Sequence, residues 1–585
     1  MEIFIAVAWP YANGELHLGT LAGSLLAPDI FARFHRQKGN DVLMVTGTDM
    51  HGTPVEVAAE NKGEEPKNYS YKIHKDHLEN MKKLNMSLNL YTNTDTQNHK
   101  EIVQDMFSDL LKKGYIIKQK EKHYWYEKEK KFLLDRYIEG ECPFCHYKGA
   151  RGDQCDKCGR TLDPLDLINP HSRSGDRDLE LKEGEDYFLN LPELQKDIKE
   201  WLDKNPNIKN WRENVISFTR AWLKEGLKTR AITRDLSYGI PLPKGVDIEN
   251  AKHKVIYVWF EAVVGYLSAA IEWSKRVSGE IRGNENEIIF LSTKGQSKSW
   301  RDFWINRNSR HYYFMGKDNI VFHTIIWPAM LIGWNKDRKD NEKLQLAYDV
   351  PANAFLNLEG DKMSKSRNWF VSYRYILDTY GEDLVRYYFA LRMPENKDSD
   401  FKWKDFISVN NNSLVANLGN FIHRTLSFIS SKYNGKVPEG EIEGEVSFEI
   451  REVLNDTELL LENVKISEGL QRINKFVSFA NKYFDKKQVW KVINTDKKNA
   501  DNTLYNCVQI IEGLRIVLAP FVPNAVEKLT RILGRKKIEW EVKKDNWKFE
   551  KLPFGQTINR VEILFKKLDP EVADMERAKL ESSKS

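Results

Sequence analysis

Cysteine is nearly absent from this 585-residue chain: there are five, and four of them fall between Cys142 and Cys158. That scarcity excludes a disulfide framework spread through the fold. Long apolar runs are missing as well. None approaches the ~18–20 residues that a membrane-spanning helix needs, so no membrane partner is expected. The opening "MEIFIAVAWPYANG" has no basic segment ahead of its apolar run and carries Glu2 and Pro10. A secretory leader is therefore not expected, and the predicted location is cytoplasmic. The fingerprint G-x-G-x-x-G does not occur, which disfavours a simple dehydrogenase. A strong excess of one charge is lacking too: a net +5 permits a nucleic-acid partner without requiring one. With 41% hydrophobic and 30% charged residues the composition suits a folded protein. The length predicts about three or four domains.

What is present begins with those cysteines. Cys142, Cys145, Cys155 and Cys158 form C-x2-C-x9-C-x2-C, the spacing of two knuckles that wrap four thiolates around one Zn2+. Gly149, Gly152 and Gly159 are expected to relieve the turns. A disulfide cluster or a redox C-x-x-C fits poorly in a cytoplasmic chain. Cys507, amid apolar residues, reads as a small core side chain.

Strand, loop and helix alternate at the start: "EIFIAVA", then "PYANGEL", then a helix from residue 17 to about 37, then a second buried strand in "DVLMVTGTDMHGTP". This predicts an α/β fold with a parallel, Rossmann-like sheet whose ligands sit beyond the C-terminal strand ends, at loops 8–20 and 46–54. Residues 114–251 change character and read as a zinc-bearing insertion splitting one domain. Within it Leu191, Leu194, Ile198 and Leu202 recur at helical spacing. The alternating pattern returns with "KVIYVWFEAVVGYL" and "HYYFMGKDNIVFHTIIWPAMLIG", followed by a basic loop, "GDKMSKSRN". The expected divisions are 1–113 and 252–350 for the two catalytic halves, 114–251 for the insertion and 351–403 for the basic-loop region. An all-α domain follows over 404–545, then an extension over 546–585. The last residues, "EVADMERAKLESSKS", read as a solvated helix or frayed tail.

Two loops carry chemistry. Asn13-Gly14 turns the chain, and His17 with Gly19 begins a helix whose N-terminal amides and imidazole suit an anion. "KMSKS", from Lys362 to Ser366, offers two ammonium groups. Each is a weak indication alone. Together they suit charge developing on phosphates during transfer at an α-phosphorus.

These segments resemble the class I aminoacyl-tRNA synthetases, most closely the methionyl-tRNA synthetase family. The resemblance rests on "AWPYANGELHLGT", "TGTDMHGTP", the cysteine knuckles, "YVWFEAVVGY", "FMGKDNIVFHTIIWPAML", "KMSKS", "NLGNFIHR" and "NKYFDKKQVW", in order along most of the chain; only residues after about 545 lack a firm counterpart. It implies adenylate formation from L-methionine and Mg-ATP, then transfer to the 3′ end of tRNA(Met). By the same match His17, Thr20, Lys362 and Lys365 are catalytic. Tyr11, Asn13, Gly14, His17, Gly19, Gly316, Asp318 and Lys365 hold ATP. Ala8, Trp9, Tyr11, Asp49, Trp259, Ala262, Tyr266 and His323 hold methionine, with Asp49 on the α-ammonium. Asn420, Arg424 and Trp490 read the anticodon, and the cysteines hold one structural zinc. Thr20 stands where the family usually has a second histidine. Trp9, Val263, Asn319 and Val489 stand where leucine, proline, isoleucine and proline are usual. A monomer is expected.

Other readings are weaker. Leucyl, isoleucyl and valyl enzymes share both signatures but resemble chains with a larger editing insertion, needed because an apolar pocket rejects one methylene by only ~1–3 kcal/mol. A catalytically silent tRNA-binding scaffold has no need for His17, Asp49, Lys362 and Lys365. A nucleotidylyltransferase has no use for the all-α third. From Phe406 onward Leu414, Leu418, Phe421, Ile422 and Ile429 form one helical stripe, which places Asn420 and Arg424 together on the opposite face. Without the resemblance, those two would read as a solvated face and Trp490 as core.

Overall fold

Strand β1 (Glu2–Val7) is buried along all but its first residue, and β2 (Asp41–Thr48) along its whole length. Continuous burial of this kind marks strands covered on both faces by helices. In the computed structural model they lie at the centre of a five-stranded sheet with β3 (Leu90–Asn93), β4 (Arg310–Gly316) and β5 (Ala352–Asn353). The strand order is β5-β4-β1-β2-β3, and every pair is parallel. The order reverses between β1 and β4, so the crevice beyond their carboxyl ends is where an open α/β sheet receives a ligand. The structure describes residues 1–583 except 129–130, 134, 156, 159, 161, 174, 250, 282–298, 366–367, 537 and 539–544. Among the described residues no helix is long and apolar enough to cross a membrane.

Between β3 and β4 the chain builds a four-stranded sheet from Ile116–Tyr126, Lys131–Leu133, Glu180–Leu189 and Arg230–Ala231. A smaller one, from Ile138–Glu141, Ala150–Arg151 and Ile168–Ser172, carries the cysteines. The helix Leu191–Lys204 forms where the leucine spacing predicts it, but its apolar stripe joins the catalytic core alongside Trp327 and Met330 rather than the cysteine module. Beyond β5 a hairpin pairs Leu356–Leu358 with Asp361–Lys362. Its turn residues, Glu359 and Gly360, have φ of 49° and 91°, the doubly left-handed turn that matches strand twist and favours glycine.

The C-terminal third is helical. Val409–Gly419 winds as a π-helix before Asn420–Lys432 returns to α geometry. The 100°-per-residue count therefore fails across 409–419, although Leu414, Leu418, Phe421, Ile422 and Ile429 are all buried. The tail is not frayed. It returns through Trp547, packed edge-on against Phe34, to the helix Val572–Ser583. That helix buries Ala573, Glu576 and Leu580, and the Glu576 carboxylate accepts from the Tyr375 and Tyr380 hydroxyls at 2.6 and 2.9 Å. A seemingly solvated sequence is thus anchored through one acidic side chain, which hydropathy alone does not reveal.

One arginine binds three parts of the molecule. Arg386, fully buried, pairs with Asp29 at 2.7 Å. It also donates to the carbonyls of Leu84, Pro520 and Phe521 at 3.2, 2.9 and 3.0 Å. Asp29 accepts in addition from Arg33 and from the Ser87 N–H and hydroxyl.

Candidate active site

The loops after β1 and β2 are laced together. The Ala12 N–H donates to the Asp49 carbonyl at 2.8 Å, and the Asp49 N–H to that of Pro10 at 2.9 Å. Further on, His17 caps a helix that runs as Leu18–Thr20, a π turn at Leu21–Leu25, and Leu26–Gln37. Its Nδ1 accepts the Gly19 N–H at 3.1 Å, so the ring proton sits on Nε2. Burial, aided by the Lys365 charge, pushes the imidazole down to about 3. His17 is therefore a neutral hydrogen-bond donor. A Cβ on Gly19 would lie 2.8 Å from the His17 ring, which is why glycine stands there. Thr20 lies on the same turn, its N–H donating to the His17 carbonyl at 2.9 Å.

The basic loop is tied to this helix start by backbone. The Leu18 N–H donates to the Val371 carbonyl at 3.3 Å, and the Tyr373 N–H to that of Leu16 at 2.9 Å. Lys365 thereby reaches Gly14 (φ +143°), where a Cβ would stand 3.7 Å from its Nζ. Burial lowers this ammonium to about 8, opposed by Glu15. Lys362 occupies a different place, on the outer hairpin strand, with Nζ 5.3 Å from the Phe355 ring centre. Its charge acts on Asp318, whose carboxyl is raised by burial. That carboxylate lies over Gly316 at the end of β4, 2.6 Å from where a Cβ would be. Asn13 is half-buried in the turn beside Gly14. Ser366 lies outside the described residues.

An apolar pocket adjoins these loops. Trp9 fits between Gly47 and Gly265, where a Cβ would fall 2.7 and 3.0 Å from the indole. Those two glycines accommodate a residue larger than the usual leucine. Tyr266 meets Trp9 edge-on at 6.4 Å. The His323 Nδ1–H donates to the Asn319 carbonyl at 2.9 Å, and the Tyr266 hydroxyl donates to Nε2 at 2.7 Å. Burial pushes His323 down to about 4, which fixes it neutral in that relay. Because Asn319 acts through its backbone, its departure from the usual isoleucine leaves the relay intact. Trp259, Ala262 and Tyr266 share one face of the helix Val258–Val277, with Trp259 edge-on to Phe322 at 4.9 Å. Ala8, half-buried, follows β1 directly.

Asp49 is the exceptional residue. It is buried, and its Oδ1 has no hydrogen-bond partner among the described residues. Burial and then Glu261 raise its carboxyl well above the ordinary range, while His51 opposes them. His51 in turn sits 2.9 Å from Glu261 and 3.5 Å from Asp95, and these carboxylates overcome burial to hold it at about 9. Sequence reasoning singled out Asp49 and His51 but missed Glu261 and Asp95. It also missed His77, whose Nε2–H donates to the Gly14 carbonyl at 3.0 Å. The signal for His77 was present: Ser70, His74, His77 and Met81 form one buried stripe on the helix Pro66–Lys83.

The four cysteine sulfurs converge within 4.8 Å of one another, a donor set compatible with one structural zinc. Gly149 and Gly152 do not serve left-handed turns. Instead, a Cβ on Gly152 would strike the Asp135 carbonyl at 2.5 Å, and the left-handed residue of the first knuckle is His146 (φ 56°). Gly159 lies outside the described residues. In the helical domain Arg424 pairs with Asp485 at 2.7 Å and lies 4.4 Å from the Phe484 ring centre. Trp490 stacks on that ring and is 45% exposed, so it is not a core tryptophan. Asn420, one turn before Arg424, is exposed.

Comparison with known proteins agrees with this arrangement. The family described as tRNA synthetases class I (M) matches residues 3–426, and the anticodon binding domain of methionyl tRNA ligase matches residues 435–584. The second match covers the tail, which therefore has a counterpart after all. A methionine–tRNA ligase of Thermomicrobium roseum is 40% identical over 99% of this chain and 98% of its own. One from Dehalococcoides mccartyi is 41% identical over 99% of both. The fold matches that of Mycobacterium tuberculosis methionyl-tRNA synthetase in complex with methionyl-adenylate, with a TM-score of 0.76 at 21% identity over 96% of this chain and 99% of that one. With one description running from the first strand into the helical domain and another continuing through the tail, the chain belongs to the methionyl-tRNA synthetase family of class I aminoacyl-tRNA synthetases.

Proposed function

We propose that this chain charges tRNA(Met) in two steps at the crevice between β1 and β4. The methionine carboxylate attacks the α-phosphorus of ATP, which arrives with its Mg2+, and the bond to pyrophosphate breaks. The terminal adenosine hydroxyl of tRNA then attacks the adenylate carbonyl, and AMP leaves. No protein nucleophile is needed; positioning and charge neutralisation do the chemistry. His17 Nε2–H, the Thr20 hydroxyl and Lys365 meet the phosphates, with Lys362 closing from the hairpin; the amides of Leu18, Gly19 and Thr20 are already engaged within the chain. Tyr11, Asn13, Gly14, Gly19, Gly316 and Asp318 shape the nucleotide side. Ala8, Trp9, Tyr11, Trp259, Ala262, Tyr266 and His323 select the thioether by shape and soft aromatic contact.

The observation that carries this reading is the orphaned Asp49 oxygen, within electrostatic reach of Tyr11 and Tyr266. A buried carboxylate oxygen left without a donor is costly unless a ligand cation completes it. Exchange of labelled pyrophosphate into ATP tests the reading. It is expected with methionine and not with leucine, isoleucine or cysteine, and exchange driven by another amino acid would refute it.

We assign Cys142, Cys145, Cys155 and Cys158 one Zn2+, whose chemistry is to crosslink the knuckles. Metal analysis should find one zinc per chain, and chelation should loosen the insertion first. A chelated enzyme with full activity and an unchanged insertion would contradict the assignment.

We assign Asn420, Arg424 and Trp490 to the anticodon: an amide and a guanidinium for base edges, and an exposed indole for stacking. Arg424→Ala or Trp490→Ala should lower charging of tRNA(Met) roughly 10- to 100-fold, from ~1–3 kcal/mol per base contact. Pyrophosphate exchange should stay within twofold. Loss of both activities would instead indicate a folding defect. The sequence-derived divisions at 113, 251, 350, 403 and 545 remain the proposed domain limits, with a monomer in the cytoplasm as the working unit.

A further inference from the structure

The helix Ile466–Lys487 presents a second feature that the anticodon contacts do not use. Gln471, Lys475, Ser478, Lys482 and Lys486 follow one another at intervals of four, three, four and four residues, and all are exposed. Such spacing aligns them on one face. The first four, with Asn474 and Phe479, line a shallow groove. Lys475, Lys482 and Lys486 have no ion-pair partner among the described residues. The acidic residues that flank them are already neutralised: Glu468 pairs with Lys465 at 3.7 Å and Asp485 with Arg424 at 2.7 Å. The neighbouring helical run over residues 409–432 contains no acidic residue at all. It is joined to the stripe where Asn481 Nδ2 donates to the side-chain and backbone oxygens of Asn417 at 2.8 and 3.2 Å. At its far end the stripe runs into Arg424, Asp485 and Trp490.

We propose that this face seats the sugar–phosphate backbone of the anticodon stem of the tRNA. The proposal deepens the assignment of the helical domain to tRNA and rests on it. Three ammonium groups without ion-pair partners among the described residues, two of them (Lys475 and Lys482) in a groove lined by no carboxylate, select a polyanion. At 1.5 Å per residue, Lys475 to Lys486 spans about 16 Å, enough for several successive phosphates. Gln471, whose amide carries a second N–H beyond the one it gives Ser467, adds a neutral donor suited to a phosphate oxygen. A base-paired stem hides its base edges in a deep, narrow groove, so contacts there position the RNA without reading it. The stripe therefore holds the stem in register while Asn420, Arg424 and Trp490 read the loop.

The double variant Lys475→Ala/Lys482→Ala of the full chain tests this by filter binding of a tRNA(Met) transcript over a salt series. Binding should weaken about tenfold near physiological salt, and the slope of log affinity against log salt should become shallower by about 2. The loss should be equal for a transcript with an altered anticodon, so discrimination between the two is unchanged. Methionine-dependent exchange should persist, which shows that the variant is folded, and Lys475→Arg/Lys482→Arg should restore the parental slope. Unchanged affinity and slope would overturn the proposal. So would a loss confined to the transcript with the correct anticodon, which would make these lysines base readers. Filter binding needs no catalysis, so failure of the methionine reading would show in the exchange assay alone.

Discussion

Lys365→Ala should slow methionyl-adenylate formation by about 10²–10³-fold, the usual consequence of deleting one donor aimed at developing charge. The ammonium stands against Gly14 and beside the neutral His17, at the loop where the triphosphate is proposed to lie. Its charge grows in value as negative charge moves onto the departing pyrophosphate, so the loss should fall on the chemical step and leave methionine affinity near the parental value. Stopped-flow adenylate formation separates the two, and a rate within a few-fold of the parent would remove Lys365 from the mechanism. The pH profile provides an independent readout. Burial holds this group at about 8 in the free protein. The ammonium is the active form, so kcat/KM for ATP should be full below that value and fall as pH rises through it. Lys365→Arg, charged at every accessible pH, should lose that alkaline limb.

Asp49→Ala should raise the methionine requirement on the order of 30- to several-thousand-fold while moving the ATP requirement little. Truncating one partner of a buried charge pair costs about 2–5 kcal/mol, because the other charge stays desolvated and unpaired. The raised carboxyl adds a signature of its own. In the unliganded pocket burial and Glu261 favour the protonated acid, whereas pairing with an α-ammonium requires the carboxylate. Methionine binding should therefore release a proton and weaken as pH falls. Calorimetry in buffers of different ionisation enthalpy measures that release. Equal shifts in the methionine and ATP requirements would make Asp49 a structural residue.

The parts of this molecule that were legible in the sequence are those governed by local pattern. Ile3 to Val7 and Val42 to Val45 read as buried strands because they are apolar throughout, and the Cys142–Cys158 spacing brought four sulfurs together without knowledge of the fold. The parts that were not legible depend on long-range partners. Glu261 is an ordinary helix residue until His51, far away in the chain, is placed 2.9 Å from it. Glu576 looks solvated until two tyrosines close over it. The π segment over Val409–Gly419 has no compositional mark, yet it changes the rotation at which the stripe enters the anticodon helix. Trp490 was ambiguous because an aromatic at a helix end is either buried or exposed, and only the folded chain shows that it is exposed.

The Arg386 junction has a consequence for how a substrate is judged. Its guanidinium spans the Asp29 carboxylate and three carbonyls drawn from two distant stretches, Leu84 and the Pro520-Phe521 corner of the helical domain. A close-packed interior of this kind deforms little and transmits displacement. The helix that follows β1 and the helical domain that carries Trp490 are thus tied together through one buried side chain. On the proposed function, this junction sets one distance between the adenylate crevice and the anticodon-binding surface, and it is the tRNA that has to span it.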